Sequence, residues 1–174
     1  MEYNFAAINS INWVRILGQI IYYFWSYFQV EKNMTPINYV VPTGNFGNVY
    51  AGFISKRMGL PIKKLIVCSN KNDILTRFFS TGTMEKKVAR ESLSPSMDIQ
   101  VSSNFERLLH HFLKDRKKVS NLINKIDKKG KYSVPKQLLT KILKEFSGGS
   151  VSDSKTKQSI KKIYNDFNII IDPH

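Results

Sequence analysis

Ile37-Asn38-Tyr39-Val40-Val41-Pro42-Thr43-Gly44-Asn45-Phe46-Gly47-Asn48-Val49 decides the fold. The first five residues are a short β-rich run, and Pro42, which cannot donate to a sheet ladder, stops it. Two glycines and two asparagines then make a turn, and residues 49–58 carry a helical stretch. Gly59-Leu60-Pro61 ends that helix, and Lys64-Leu65-Ile66-Val67-Cys68 supplies a second apolar strand. Strand, glycine turn, helix and strand over residues 37–69 make a right-handed βαβ unit with a parallel sheet, so the fold class is α/β.

On the N-terminal side, Asn9-Ser10 is a polar cap candidate before a long apolar run, residues 11–28, which reads as a mostly buried helix. Asn12, Arg15, Gln19 and Ser26 interrupt that run on different faces, which argues against a membrane span. On the C-terminal side, residues 70–103 break into loops with a short helix near Asp73. Phe105, Leu108, Leu109, Phe112 and Leu113 then predict one amphipathic helix from Asn104 to about Lys118. Pro135 opens a helix bearing Leu138, Leu139, Ile142 and Leu143, and Ser147-Gly148-Gly149-Ser150 breaks it. Asp153 is expected to cap a last helix with Ile160, Ile163 and Tyr164 inward, ahead of an apolar strand, Ile169-Ile170-Ile171. The chain divides at residue 103: residues 1–103 are part of an α/β domain holding the glycine loop, and residues 104–174 are a helical, basic segment ending in a truncated strand.

The chain has 174 residues and a net charge of +14, enough length for one domain and its core. Residues 1–110 hold 12 basic and 7 acidic side chains and residues 111–174 hold 15 and 6, so the excess charge sits in the second part. Lys114-Asp115-Arg116-Lys117-Lys118 and Lys128-Lys129-Gly130-Lys131 lack interleaved aromatics for base stacking, and read as solvated faces rather than a nucleic-acid surface. Cys68 has no second thiol, which excludes a disulfide framework or cysteine zinc site within the chain and fits a reducing, cytoplasmic setting. Without a basic run and small-residue cleavage site at the N-terminus, a soluble protein with no membrane association is expected.

Chemistry is expected at Thr43-Gly44-Asn45-Phe46-Gly47-Asn48. A loop between a strand end and a helix start presents unpaired backbone N–H groups and the positive end of the helix dipole, an arrangement that favours an anion. Glycine there is expected either to keep a Cβ out of the anion's space or to take a left-handed φ, and Asn45 and Asn48 add side-chain donors. A tight turn with no ligand has the same pattern. The loop lacks a P-loop lysine and dinucleotide-binding spacing, which makes ATP and NAD poor fits. His110 and His111 are adjacent on a helix, so they diverge and do not form a metal pair. No nucleophile-elbow pattern supports a hydrolase.

Several runs together resemble one family. Asn9-Ser10-Ile11-Asn12-Trp13-Val14-Arg15-Ile16-Leu17, Pro42-Thr43-Gly44-Asn45-Phe46-Gly47-Asn48 and Asn72-Asp73-Ile74-Leu75-Thr76-Arg77-Phe78 are similar to threonine synthases. So are Leu93-Ser94-Pro95-Ser96-Met97-Asp98-Ile99 and Ser102-Ser103-Asn104-Phe105-Glu106-Arg107-Leu108, in the family's order, and Asp172-Pro173-His174 resembles a motif near its end. The resemblance implies part of a fold-type-II, tryptophan synthase beta-like enzyme that uses pyridoxal phosphate to convert O-phosphohomoserine and water to threonine and phosphate. It also implies that Thr43, Gly44, Asn45, Phe46, Gly47 and Asn48 cradle the cofactor phosphate, and that Asn9, Ser10, Asn12 and Arg15 lie near the substrate.

Family members hold the cofactor as a Schiff base on the lysine of a Phe-Lys-Asp motif well before the asparagine-rich run, and these 174 residues do not contain it. Phe112-Leu113-Lys114-Asp115 has an extra residue and follows the glycine loop, so it is not that site. Three readings follow, in order: a threonine synthase fragment with no catalytic residue of its own and inactive alone, one piece of a split enzyme completed by a polypeptide supplying the lysine segment, and a basic nucleic-acid-binding module.

Overall fold

The computed structural model describes residue 9 and residues 11–174. β1 (Ile37–Pro42), α2 (Gly47–Arg57) and β2 (Ile62–Ser69) form the expected unit, and β1 pairs with β2 in parallel, Tyr39 opposite Leu65 and Val41 opposite Val67. β2 is the middle strand of three and is covered on both sides, which suits its continuous apolar run: Leu65 and Val67 are fully buried and Ile66 half-buried.

The third strand is where reading by composition fails. Ser147-Gly148-Gly149-Ser150, expected as a helix breaker, belongs to β5 (Phe146–Ser150), which runs parallel along the other side of β2. The reason lies in α3 (Ile74–Thr81), which packs directly on this strand. A Cβ at Gly148 would stand 2.9 Å from Phe79 Cδ2 and 3.1 Å from the Thr76 backbone, so only glycine admits so close a helix. Thr76 Oγ1 then donates to the Gly149 carbonyl at 2.9 Å. α6 (Lys136–Glu145), opened by Pro135 as expected, ends where β5 begins.

Other expectations need correction. The single helix over residues 104–118 is two, α4 (Phe105–Leu113) and α5 (Arg116–Lys129). Lys114 takes a left-handed φ of 51°, and Asp115 caps α5 by accepting from the Lys118 amide at 3.1 Å. α7 (Asp153–Phe167) is capped by Ser152, not Asp153; it buries no residue, Ile160 and Ile163 are only half-buried, and Tyr164 is exposed. Residues 169–171 form no strand. A short antiparallel pair, β3 (Thr83–Glu85) with β4 (Lys131–Ser133), also appears; together with β2–β5 it ties the segments on either side of residue 103.

α1 (Trp13–Val30) is half of what the hydropathy suggested. Ile16, Ile20, Tyr23 and Tyr27 are buried, with α1 packed on α2, but Trp13, Leu17, Ile21, Trp25 and Phe28 lie exposed. A helix apolar all round needs neighbours on every side, and among the described residues it has them on one. Its cap is Asn12, whose Oδ1 accepts from the Val14 amide at 2.9 Å; Asn9 shapes the preceding turn, and Ser10 lies outside the described residues.

The core is aromatic. Phe46, Phe53, Phe78, Phe105 and Phe146 are each at most 2% exposed and meet at ring-centroid distances of 4.7–5.6 Å, directly beneath the glycine loop.

Candidate functional site

The loop from Thr43 to Asn48 is held from below and behind. Thr43 N–H donates to the Cys68 carbonyl at 2.8 Å, and its hydroxyl donates inward to the Val41 carbonyl at 2.8 Å. The next two carbonyls are taken by the run before α4: Ser102 Oγ donates to Gly44 O at 2.8 Å, and Asn104 donates to Asn45 O through both its amide and its Nδ2, each at 3.1 Å. Asn104 is fully buried, with its Oδ1 accepting from Arg107 Nε at 2.9 Å.

Pinning the carbonyls to one side leaves the amides on the other. Among the described residues the N–H groups of Gly44, Asn45, Phe46, Gly47 and Asn48 have no acceptor, and α2 starts without a side-chain cap. Orphan amides at a helix start are the ordinary basis of anion binding.

The glycines serve this geometry differently from expectation. Neither Gly44 nor Gly47 has a left-handed φ; Phe46 does, at 64°. A Cβ at Gly44 would fall 2.7 Å from Ile99 Cδ1, and one at Gly47 would fall 3.3 Å from Asn104 Nδ2. At both positions glycine leaves room for the ends of the Ile99 and Asn104 side chains, which lie against the loop. Phe46 accepts a conformation costing about 1–2 kcal/mol because its ring is locked between Phe105 and Phe146.

Asn48 is aimed by α1. Tyr23 OH donates to Asn48 Oδ1 at 2.8 Å, which leaves the Asn48 Nδ2 as a donor. Burial, and then the neighbouring Tyr39, raise the Tyr23 pKa well above the usual phenol value, so it stays a proton donor at neutral pH.

A cavity of about 240 Å³ opens over the loop, walled by residues 43–48, by Arg15 and Gln19 of α1, and by Ser96, Met97 and His174. Ser96 Oγ and His174 Nδ1 are 2.9 Å apart on its rim. Met97 and Ile99 are positioned by Asp98, which accepts from Asn70 Nδ2, Asn72 Nδ2, Ser92 N and Ser92 Oγ at 2.6–2.9 Å. Burial alone would raise the Asp98 pKa; the Ser92 and asparagine hydrogen bonds outweigh it and hold the carboxyl below its ordinary value. None of this network was legible as a site component, although Asn72 and residues 93–99 were already conspicuous as motifs.

Of the remaining sequence candidates, Arg15 is exposed and lines the cavity, while Asn9 and Asn12 are engaged in the turn and cap before α1 and are not among the cavity's walls. Lys114 ends α4 and does not line the cavity. His110 and His111 diverge as expected, His111 stacking edge-on against Phe53 at 4.8 Å. A larger open cavity of about 570 Å³ lies against α4 and α5, beside Arg107, His110 and Arg116, but no loop amides converge on it, so the glycine loop is the better site. No group of three or more His, Cys, Asp or Glu among the described residues is placed to hold a metal, and no helix among them is long and apolar enough to cross a membrane.

No family model matches the chain. Individual proteins do. It is 44% identical to threonine synthase of Saccharomyces cerevisiae, over 99% of this chain and 37% of that one, and 45% identical to threonine synthase of Pseudomonas aeruginosa, over 97% and 36%. The crystal structure of pyridoxal-phosphate-bound threonine synthase from Brucella melitensis superposes with a TM-score of 0.93 at 39% identity, over 97% of this chain and 37% of that one. The yeast enzyme's structure gives 0.92 at 42% identity. The chain thus spans little more than a third of the length of these relatives. Within that span, sequence and fold agree that the chain belongs to the threonine synthase family, with the α/β architecture of fold-type-II pyridoxal-phosphate enzymes.

Proposed function

We propose that this chain forms the cofactor-phosphate side of a threonine synthase active site and does not turn over O-phosphohomoserine by itself. The observation that carries this is the loop at the start of α2, with its carbonyls pinned by Ser102 and Asn104 and its amides without acceptors. The fit to a phosphate is good: five successive amides lack acceptors, no carboxylate among the described residues lines the cavity, and Arg15 supplies positive charge. The amides of Gly44 to Asn48 and Asn48 Nδ2 bind, Thr43 braces the turn, and Arg15 lies nearest the substrate among the run that also includes Asn9, Ser10 and Asn12. Pyridoxal phosphate, when bound, supplies the electron sink. The residues present bind and orient; no lysine among the described residues lines the cavity, and the family's Phe-Lys-Asp motif is not in this sequence.

The outer face of α1 favours completion by a further part of the family fold. Trp13, Leu17, Ile21, Trp25 and Phe28 form one stripe, each 41–66% exposed, and a contiguous apolar face of this kind marks an interaction surface. The test is phosphate release from O-phosphohomoserine with pyridoxal phosphate present, by this chain alone and after mixing with a polypeptide carrying the Phe-Lys-Asp segment of a relative. Release only in the mixture supports the proposal. Turnover by the chain alone overturns it.

A further inference from the structure

We propose that Gln19 is a phosphate-positioning residue, closing the anion site from the side opposite the glycine loop. This rests on the loop's assignment as the phosphate cradle.

Arg15 and Gln19 stand four residues apart on α1, so they occupy one face on successive turns, and both wall the cavity over residues 43–48. The Gln19 carboxamide has an unusual environment. Its Oε1 is sealed from solvent and has no hydrogen-bond partner among the described residues, whereas its Nε2 is not sealed. The Gln19 side chain takes part in no hydrogen bond among the described residues, so its carboxamide is not used to hold the fold together. The end that remains accessible is the donor, and the space beside it is the cavity.

A bound phosphate monoester presents three terminal oxygens that are acceptors at neutral pH. The loop amides and Asn48 Nδ2 approach from the α2 side, and Tyr23, from the same helix α1, fixes the Asn48 amide. Oxygens turned toward α1 meet only Arg15 and Gln19. Arg15 is exposed and makes no ion pair among the described residues, so it contributes charge without a fixed protein partner. Gln19, half-buried and neutral, contributes direction. Glutamate would fill the same space with acceptors only and repel the ligand, and leucine would fill it with none.

The chemistry is shared by two phosphate esters, that of the cofactor and that of the substrate. The experiment titrates the isotopically labelled chain with inorganic phosphate, then with pyridoxal 5′-phosphate and with O-phosphohomoserine, following the backbone amides of Gly44 to Asn48 and the Gln19 side-chain NH₂. The expected result is that the Gln19 NH₂ and the loop amides shift together, with one affinity. Q19L should then weaken phosphate binding about tenfold, as loss of a hydrogen bond to a charged group does. Q19E should weaken it further at pH 8, with recovery toward pH 5 as the carboxyl protonates. Unphosphorylated pyridoxal should not distinguish the variants. A Gln19 shift with pyridoxal phosphate assigns the residue to the cofactor, and a shift with O-phosphohomoserine alone assigns it to the substrate.

The inference is overturned if the loop amides shift while the Gln19 NH₂ does not, a result needing no variant to fold. It is also overturned if Q19L, with an unchanged circular dichroism spectrum, binds phosphate within twofold of the parent. Loop amides that ignore all three ligands would overturn the cradle assignment and this inference together.

Discussion

Two helices of this molecule begin in opposite ways. α5 starts at a residue that serves it: Asp115 turns its carboxylate back and accepts from the Lys118 amide. α2 starts at Phe46, which offers no side-chain cap and sits in a left-handed conformation, while neighbouring side chains take up the loop's carbonyls instead of its amides. Both starts carry the same dipole and the same orphan N–H groups. At α5 the Asp115 side chain takes one of them and at α2 no side chain takes any, a difference that fits the proposed anion site at α2 and a plain joint at α5.

The comparison breaks most severely at Phe46. Phe46→Ala removes a ring packed against Phe105 and Phe146 and should cost about 3–5 kcal/mol, read as a shifted denaturation midpoint. Next is Gly148→Val, which drives a branched side chain into Phe79 and the α3 backbone; about 1–3 kcal/mol is expected, with phosphate binding lost only as far as the fold is lost. Asn104→Leu keeps the backbone bond to the Asn45 carbonyl but removes the Nδ2 one and the acceptor of Arg107 Nε, and should lower stability by about 1–3 kcal/mol while also weakening phosphate binding at the loop, which calorimetry at matched folded fraction separates.

Asp115→Ala gives the smallest effect. It should lower the thermal midpoint slightly and leave phosphate binding unchanged. The hydrogen bond from the Lys118 amide holds the Asp115 carboxyl below its ordinary value, with Lys118 charge assisting and desolvation opposing. A depressed folded-state pKa contributes stability that is present above the unfolded carboxylate pKa of about 3.9 and is lost as pH falls through the lower folded value. The midpoint difference between parent and variant should therefore vanish in acid. If Asp115→Ala changed phosphate affinity, the contrast between the two helix starts would be wrong.

The βαβ unit was legible because its signals are local: a β-branched run, a proline, glycines and a helix of ordinary length. β5 was not, because Gly148 reads as a breaker until α3 is seen lying on it, and that contact joins residues some seventy positions apart. The break at Lys114 was hidden for a different reason. The apolar spacing of α4 continues smoothly into charged residues, and only the capping geometry of Asp115 reveals a second helix.

At the site, the loop's position was legible but its physics was not. Glycine suggested a left-handed turn, whereas Gly44 and Gly47 lie under the Ile99 and Asn104 side chains at ordinary φ, and the left-handed residue is Phe46. The outward stripe of α1 was misread as core because hydropathy records how much apolar surface a helix has and says nothing of how much of it finds a neighbour.

The Tyr23 hydroxyl joins two of these regions in a single bond. α1 carries that tyrosine on its inner face and the unpartnered stripe on its outer one, so anything that steadies the helix from outside also narrows the orientations open to Asn48. Linkage makes the effect mutual: a phosphate held at the loop tightens whatever closes over α1, by the same factor that such a closure tightens the phosphate. On the proposed reading, assembly and cofactor loading would be one equilibrium observed from two ends.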